Sequence, residues 1–290
     1  MKHPKEPGNH RKKDRLMTVV LVCVLVVGLI VLFYPTVSDW WNRQVSTRAV
    51  ATYDEAVSSL TETDYTDIFE AAEAYNEGLA EIGSARAIAH PDLVDETYWD
   101  TLDITGTGIM GYITIDKINV QLPIYHGSDS GVLQIAAGHL EGTSLPVGGE
   151  STHCVISAHR GLPSARLFTD LDQMEVGDTF TITVLNQVLT YEVDQITIVE
   201  PTELEDIYIE EGADYCTLMT CTPYGVNTHR LLVRGVRVAT AESALLHVTA
   251  DAYRINVLVT AAVVAAPMLL LLLAWLLIST GRTRRKTAIW

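Results

Sequence analysis

Two uncharged apolar stretches frame the chain, LMTVVLVCVLVVGLIVLFY from Leu16 to Tyr34 and INVLVTAAVVAAPMLLLLLAWLLI from Ile255 to Ile278. At about 1.5 Å of rise per residue, each is long enough to cross a hydrocarbon core of about 30 Å. Both are apolar on every face, which argues against a helix that packs one face on a soluble core. Two transmembrane helices are therefore expected, at 16–34 and 255–278, the second kinked at Pro267. Between them the texture changes twice. From Trp40 to about Gly83 the apolar positions recur at helical spacing, as in Tyr65, Phe69, Ala72, Tyr75, Leu79 and Ile82. Thr63 or Asp64 is expected to cap that helix, and Gly83 to end it. From Met110 onward come short β-rich runs divided by turn residues, at 110–115, 121–125, 152–158, 179–184, 189–199, 215–221 and 230–238. Asn186-Gln187 is expected to turn one hairpin, and Gly148-Gly149 to make a bend. Seven or more strands with little helix between them predict a mainly-β, closed or nearly closed barrel of about eight strands.

Charge orients this arrangement. Lys2, Lys5, Arg11, Lys12, Lys13 and Arg15 precede the first apolar run, and Arg282, Arg284, Arg285 and Lys286 follow the second. Basic flanks stay on the cytoplasmic side, so both termini are expected there and everything from about Pro35 to Arg254 outside. Trp40 and Trp41 fit the outer interface. The first run lacks an Ala-x-Ala-like exit and reads as an uncleaved anchor. The organisation expected is a tail at 1–15, a transmembrane helix at 16–34, and an extracellular helical and lid-like segment at 35–109. A catalytic barrel at 110–240, a linker at 241–254, a second transmembrane helix at 255–278 and a tail at 279–290 complete it. The two tails are each net +4, and subtracting them from the chain's −16 leaves −24 for the outside portion. A surface that acidic excludes nucleic acid as a partner.

Four cysteines narrow the chemistry: Cys23 in the first apolar run, Cys154, Cys216 and Cys221. Cys221 ends its strand, and the turn residues TPYG follow. His159, in SAHRGLP, likewise stands where a strand stops and a loop begins. A cysteine nucleophile works as its thiolate, which a neighbouring imidazolium or guanidinium favours. On the residues alone, a Cys–His catalytic pair and two packed side chains are equal readings. His126, His139, His153 and His229 lack metal-ligand spacing and are expected to be structural or surface residues.

TLMTC with an arginine nine residues beyond its cysteine resembles the sortase signature, Thr-Leu-x-Thr-Cys followed by Arg. CTPYGVNTHRLLVRG, AHRGLPSARLFTDLD, LPIYHG and GHLEGTSLPVGG are similar to class C sortases, the pilin-polymerising branch of Gram-positive bacteria. The resemblance runs from about Gly111 to Val238. It implies that Cys221 is the nucleophile, His159 the general acid/base and Arg230 the binder of substrate and oxyanion, with Thr220 touching substrate. The implied reaction cleaves an LPXTG-like sorting signal between Thr and Gly. The acyl group then passes from a thioester to a lysine of another pilin subunit, so the partners are LPXTG-bearing pilins as donor and acceptor. No metal or cofactor is implied. A housekeeping-type sortase anchoring proteins to cell-wall peptide, a thiol hydrolase and a non-enzymatic surface module are the alternatives.

One departure stands out. Class C sortases carry a lid with an Asp-Pro-aromatic tripeptide, and this chain has no Asp-Pro. The corresponding segment, ARAIAHPDLVDETYW, offers His90, Pro91 and Asp92, with aromatics only at Tyr98 and Trp99. A lid-like role is expected for His90–Asp92. Of the arginines, Arg160 adjoins His159 and points to the other face of an extended chain. If the strands around 215–221 and 230–238 pair as a hairpin, Arg230 falls opposite Cys221 and Arg234 about 13 Å away. Cys154 and Cys216 each precede a catalytic candidate by five residues, so parallel strands that join His159 to Cys221 would also set these two side by side on the opposite face. An outside location permits a disulfide there, although neighbouring strands hold cysteines in poor geometry for one.

Overall fold

The computed structural model describes residues 8–90 and 96–241. The described residues fall into two compact units, divided between Trp40 and Trp41. Helix α1 (Gly8–Ser58) continues past Tyr34, with Pro35 inside it. Among the described residues its portion Met17–Ser58 is one helix long and apolar enough to cross a membrane. The second expected membrane run, 255–278, and both basic tails up to Pro7 and from Arg282 lie outside the described residues.

The larger unit begins with the last turns of α1. Val50, Tyr53 and Val57 are buried there, and the Tyr53 hydroxyl donates to Met110 O at 2.9 Å while Leu185 N donates to it at 2.8 Å. Helix α2 (Glu62–Ile82) starts earlier than the cap at Thr63 or Asp64 suggested. Its cap is Thr61, not Thr63 or Asp64. The Thr61 hydroxyl accepts from Asp64 N, and the Asp64 carboxylate accepts from Thr61 N, a reciprocal pair that satisfies two otherwise free donors. Asp64 was therefore a correct signal read at the wrong position. Gly83, at φ 86°, ends the helix as expected. Helix α3 (Ser84–Ala89) and a 3-10 turn at Glu96–Trp99 lead toward the barrel.

Eight strands close the barrel: β1 (Ile109–Ile115), β2 (Val120–Tyr125), β3 (Ala137–His139), β4 (Thr152–Ser157), β5 (Thr179–Val184), β6 (Gln187–Val199), β7 (Asp214–Thr222) and β8 (His229–Val238). Their order around the barrel is β1-β2-β3-β4-β7-β8-β6-β5. Each of the seven runs read from the sequence is a strand. The additional one, β3, has only three residues, too short for an alternation to register. It joins β2 in parallel through the one-turn helix α4 (Ser130–Leu133), which Asp129 caps. The hairpin after β5 turns at Leu185-Asn186, since Val184 pairs with Gln187.

Parity sorts the side chains. Cys154 and Ile156 of β4, Cys216 and Leu218 of β7, and Leu231 and Val233 of β8 belong to the interior core. Val155, Met219 and Leu232 belong instead to a second cluster on the outer face, with Leu140, Leu204 and Ile207. Gly235, on the interior face of β8, lies beside the stacked rings of Phe180 and Tyr191. A Cβ there would sit 2.8 Å from Phe180 and 2.9 Å from Tyr191, so the position admits glycine alone without rearrangement.

Candidate active site

β4 and β7 run parallel, and their ladder ends at Ser157 opposite Met219. Two residues further along each chain stand His159 and Cys221. Both side chains are half-buried, at the same end of the barrel. Parallel pairing is what brings these two strand ends together. An antiparallel pair would carry one of them to the far rim. The backbone beneath them is tied by Ala158 N donating to Met219 O at 3.2 Å. Cys221 shares the outer face with Thr217 and Met219 by the two-residue period of the strand.

β7 and β8 form an antiparallel pair with Cys221 directly opposite Arg230. Arg230 is half-buried, and its Nη1 donates to His229 O at 3.2 Å. Arg234 stands opposite Thr217. Its guanidinium forms a fork on Asp194, at 3.1 and 2.7 Å, reaches Glu210 at 3.3 Å and lies 4.2 Å over the Tyr215 ring. Asp194 holds the Arg234 guanidinium above its ordinary range. Arg160 is bonded to Thr222 and Asp172. Of the three arginines, only Arg230 stands in register with Cys221.

Thr220, expected to touch substrate, lies among the interior-facing positions at 2 % exposure, and its hydroxyl donates to Ala158 O at 2.7 Å. Of the expected lid residues, His90 is exposed at the end of α3, whereas Pro91 and Asp92 lie outside the described residues. Tyr98 is buried, its hydroxyl bonded to His139 Nδ1 at 2.9 Å and accepting from Gly127 N at 2.9 Å.

A groove of about 160 Å3 opens on the outer face beside Arg230. Its walls are mainly apolar, with Leu140, Met219 and Leu232 from the barrel, Leu204 and Ile207 from the loop after β6, and Ile88 from α3. Glu200 and Glu203 border it. This loop was featureless in the sequence reading. Its Leu204 and Ile207 become meaningful only once Val155 and Leu232 stand beneath them.

Cys154 and Cys216 are paired in register, buried and free. Burial pushes the Cys216 thiol well above its ordinary range. His139 and His153 are also buried. His153 donates through Nδ1 to Tyr208 O at 2.9 Å and accepts at Nε2 from the Thr217 hydroxyl at 2.7 Å. His126 lies between the carbonyls of Gly108 and Thr101, and His229 meets the Thr228 hydroxyl.

Residues 113–238 match the sortase domain family. Over 131 residues the chain is 29 % identical to sortase D of Bacillus subtilis, covering 44 % of this chain and 63 % of that one. Over 137 residues it is 30 % identical to sortase A of Streptococcus agalactiae, covering 46 % of this chain and 55 % of that one. The chain thus spans less than two thirds of either of these two curated relatives. Among solved structures, sortase C1 of Streptococcus agalactiae is 50 % identical with a TM-score of 0.63, covering 67 % of this chain and all of that one. Sortase C of Streptococcus pneumoniae is 44 % identical with a TM-score of 0.60, covering 67 % and 97 %. The barrel with a cysteine and a histidine at the ends of parallel neighbours is thereby placed: the chain belongs to the sortase family, a family of cysteine transpeptidases.

Proposed function

We propose that the protein is a class C sortase, cutting an LPXTG-like sorting signal and transferring the acyl group to a pilin lysine. The observation that carries this reading is the register of Cys221 on Arg230, beside the matching strand end that bears His159. The identity to sortase C1 supports the branch. The pneumococcal sortase C structure is described in terms of pilin substrate specificity, and a shared barrel extends that substrate class to this chain as a proposal.

In this reaction the Leu-Pro part of the signal lies along the groove of Leu140, Leu204, Ile207 and Leu232. The Cys221 thiolate attacks the threonine carbonyl, and the oxygen takes up negative charge beside Arg230. A guanidinium suits that task because its donors are fixed in a plane and its charge is permanent. Collapse of the adduct breaks the C–N bond, and His159 gives its proton to the departing glycine amine. A thioester remains on Cys221. It keeps the acyl group activated toward an amine. His159 then takes a proton from the incoming lysine as the new amide forms, and the thiolate leaves. The chain's own residues supply every proton transfer.

The proposed topology has two membrane helices, at 16–34 and 255–278, with both basic tails in the cytoplasm and the barrel outside. The apolar helix from Met17 and the second uncharged run support it. Incubating the full-length chain in detergent with an LPXTG peptide, with and without a lysine-bearing pilin domain, tests the function. The expected result is an acyl adduct on Cys221 and a product whose formation requires the amine. Free acid released at the same rate with or without amine would instead identify a thiol hydrolase.

A further inference from the structure

We propose that Arg160 is a positioning residue for this reaction, fixing the loop that bears His159 against the loop that begins at Cys221. The inference rests on the assignment of those two residues above. The ladder between β4 and β7 stops at Ser157, before either residue is reached. Beyond that point the two strand ends are joined by the backbone bond from Ala158 N to Met219 O and by a pair of side-chain ties. On the near side of the pair, the Thr220 hydroxyl donates to Ala158 O at 2.7 Å. On the far side, Arg160 Nη1 donates to the Thr222 hydroxyl at 3.3 Å. The residues immediately before and after His159 are thus tied to the residues immediately before and after Cys221.

The Arg160 side chain is 8 % exposed, and its other terminal nitrogen meets Asp172 at 2.5 Å in the turn at Leu171–Gln173. Its guanidinium also lies 6.0 Å from the Tyr224 ring centroid, in the loop that follows Cys221. One side chain therefore touches both sides of the pair, the loop from β4 to β5 and the loop from β7 to β8. Asp172 compensates the charge of Arg160, so the arginine acts by shape more than by field. A planar fork can serve Thr222 and Asp172 together, whereas an ammonium is a single point. Arg160 Nε is buried without a hydrogen-bond partner. That unmatched donor offsets what the ion pair contributes to stability, and it leaves geometry as the main effect of the residue.

The test uses the full-length chain in detergent, with iodoacetamide as the probe and peptide mapping to follow Cys221 from pH 5 to pH 10. His159→Ala supplies the reference for a cysteine without its imidazole. Arg160→Ala is expected to move the pH profile of alkylation to that of His159→Ala, with a rate at pH 7 lower by about 10–100-fold, since displacement by an ångström carries losses of that order. Asp172→Asn shifts the profile in the same direction by less, Arg160→Lys restores it in part, and the double variant with His159→Ala shows no further loss. Turnover of an LPXTG peptide should fall in kcat with KM nearly unchanged. A parent-like profile in Arg160→Ala, a full restoration by Lys, or losses additive with His159→Ala would overturn the proposal. If Arg160→Ala does not fold, Asp172→Asn and Arg160→Lys decide on the same criteria. Should the parent chain cleave no peptide, the functional reading fails, while the alkylation profiles still decide the role of Arg160.

Discussion

Cys221 stands opposite Arg230 across the β7–β8 ladder, whereas Arg234, four residues along the same face of β8, stands opposite Thr217. At about 3.3 Å per residue the two arginines are about 13 Å apart along the strand. Arg230→Ala is therefore expected to lower kcat/KM on an LPXTG peptide by about 10²–10³-fold, the usual effect of removing one oxyanion donor. Arg230→Lys should recover part of that. Arg234→Ala should leave turnover within a few-fold while lowering the melting temperature, because it strands Asp194. The reverse order of damage would transfer the role to Arg234.

Cys221→Ala should abolish both peptide cleavage and pilin polymer formation with the melting curve unchanged, since a half-buried thiol at a strand end contributes little packing. Mass spectrometry of the parent chain after exposure to substrate should find the acyl group on Cys221. An adduct on Cys154 or Cys216 would reassign the nucleophile.

Once β7–β8 is taken as a hairpin and β4–β7 as a parallel pair, the register of Cys221 on Arg230 and the juxtaposition of Cys154 with Cys216 follow from sequence offsets, because a strand has a period of two and a fixed rise. The groove was not. Its wall comes from Leu204 and Ile207 in a loop without periodicity, placed by outer-face residues that the sequence does not distinguish from inner-face ones. The burial of Thr220 was not legible either. A residue beside Cys221 in sequence lies on the opposite face of the strand, and its hydroxyl donates to Ala158 O. Asn76 escaped notice altogether. It reads as a polar interruption in α2, yet it is buried, accepting from Leu145 N at 2.7 Å and donating to Leu145 O at 3.3 Å.

Cys154 and Cys216 are expected to stay as thiols. Intact mass with and without reductant should be identical, and alkylation of the native chain should spare both until denaturant is added. A mass lower by two hydrogens before reduction would show that they form a disulfide.

His153 sets a pH dependence. Burial lowers its pKa below the ordinary 6.5, and the neutral ring is held by Tyr208 O and the Thr217 hydroxyl. The unfolded chain thus binds a proton near pH 6.5 that the folded chain binds only at lower pH. The associated stability is fully present above about pH 6.5 and is lost as pH falls through the folded value. His153→Gln should flatten the melting temperature against pH in that window. An equally steep profile in the variant would rule out His153 as its source.

Gly235→Ala should destabilise the barrel by about 1–3 kcal/mol through overpacking against Phe180 and Tyr191. Denaturant titration measures this, and a stability equal to the parent would mean that the two rings give way freely.

The parallel course of β4 and β7 also sets when the proposed site can be assembled. Strands that run the same way need a long connection between them, and here 62 residues separate Ala158 from Thr220, the pair that their hydrogen bond joins. That connection contains β5, β6 and the loop that walls the groove. The strand ends that bear His159 and Cys221 consequently come together only after two further strands have been laid down. A chain still emerging carries Cys221 without the strand end that bears His159 beside it. On the proposed reading, chemical competence is a late event in the history of each molecule, and it arrives together with the completed barrel.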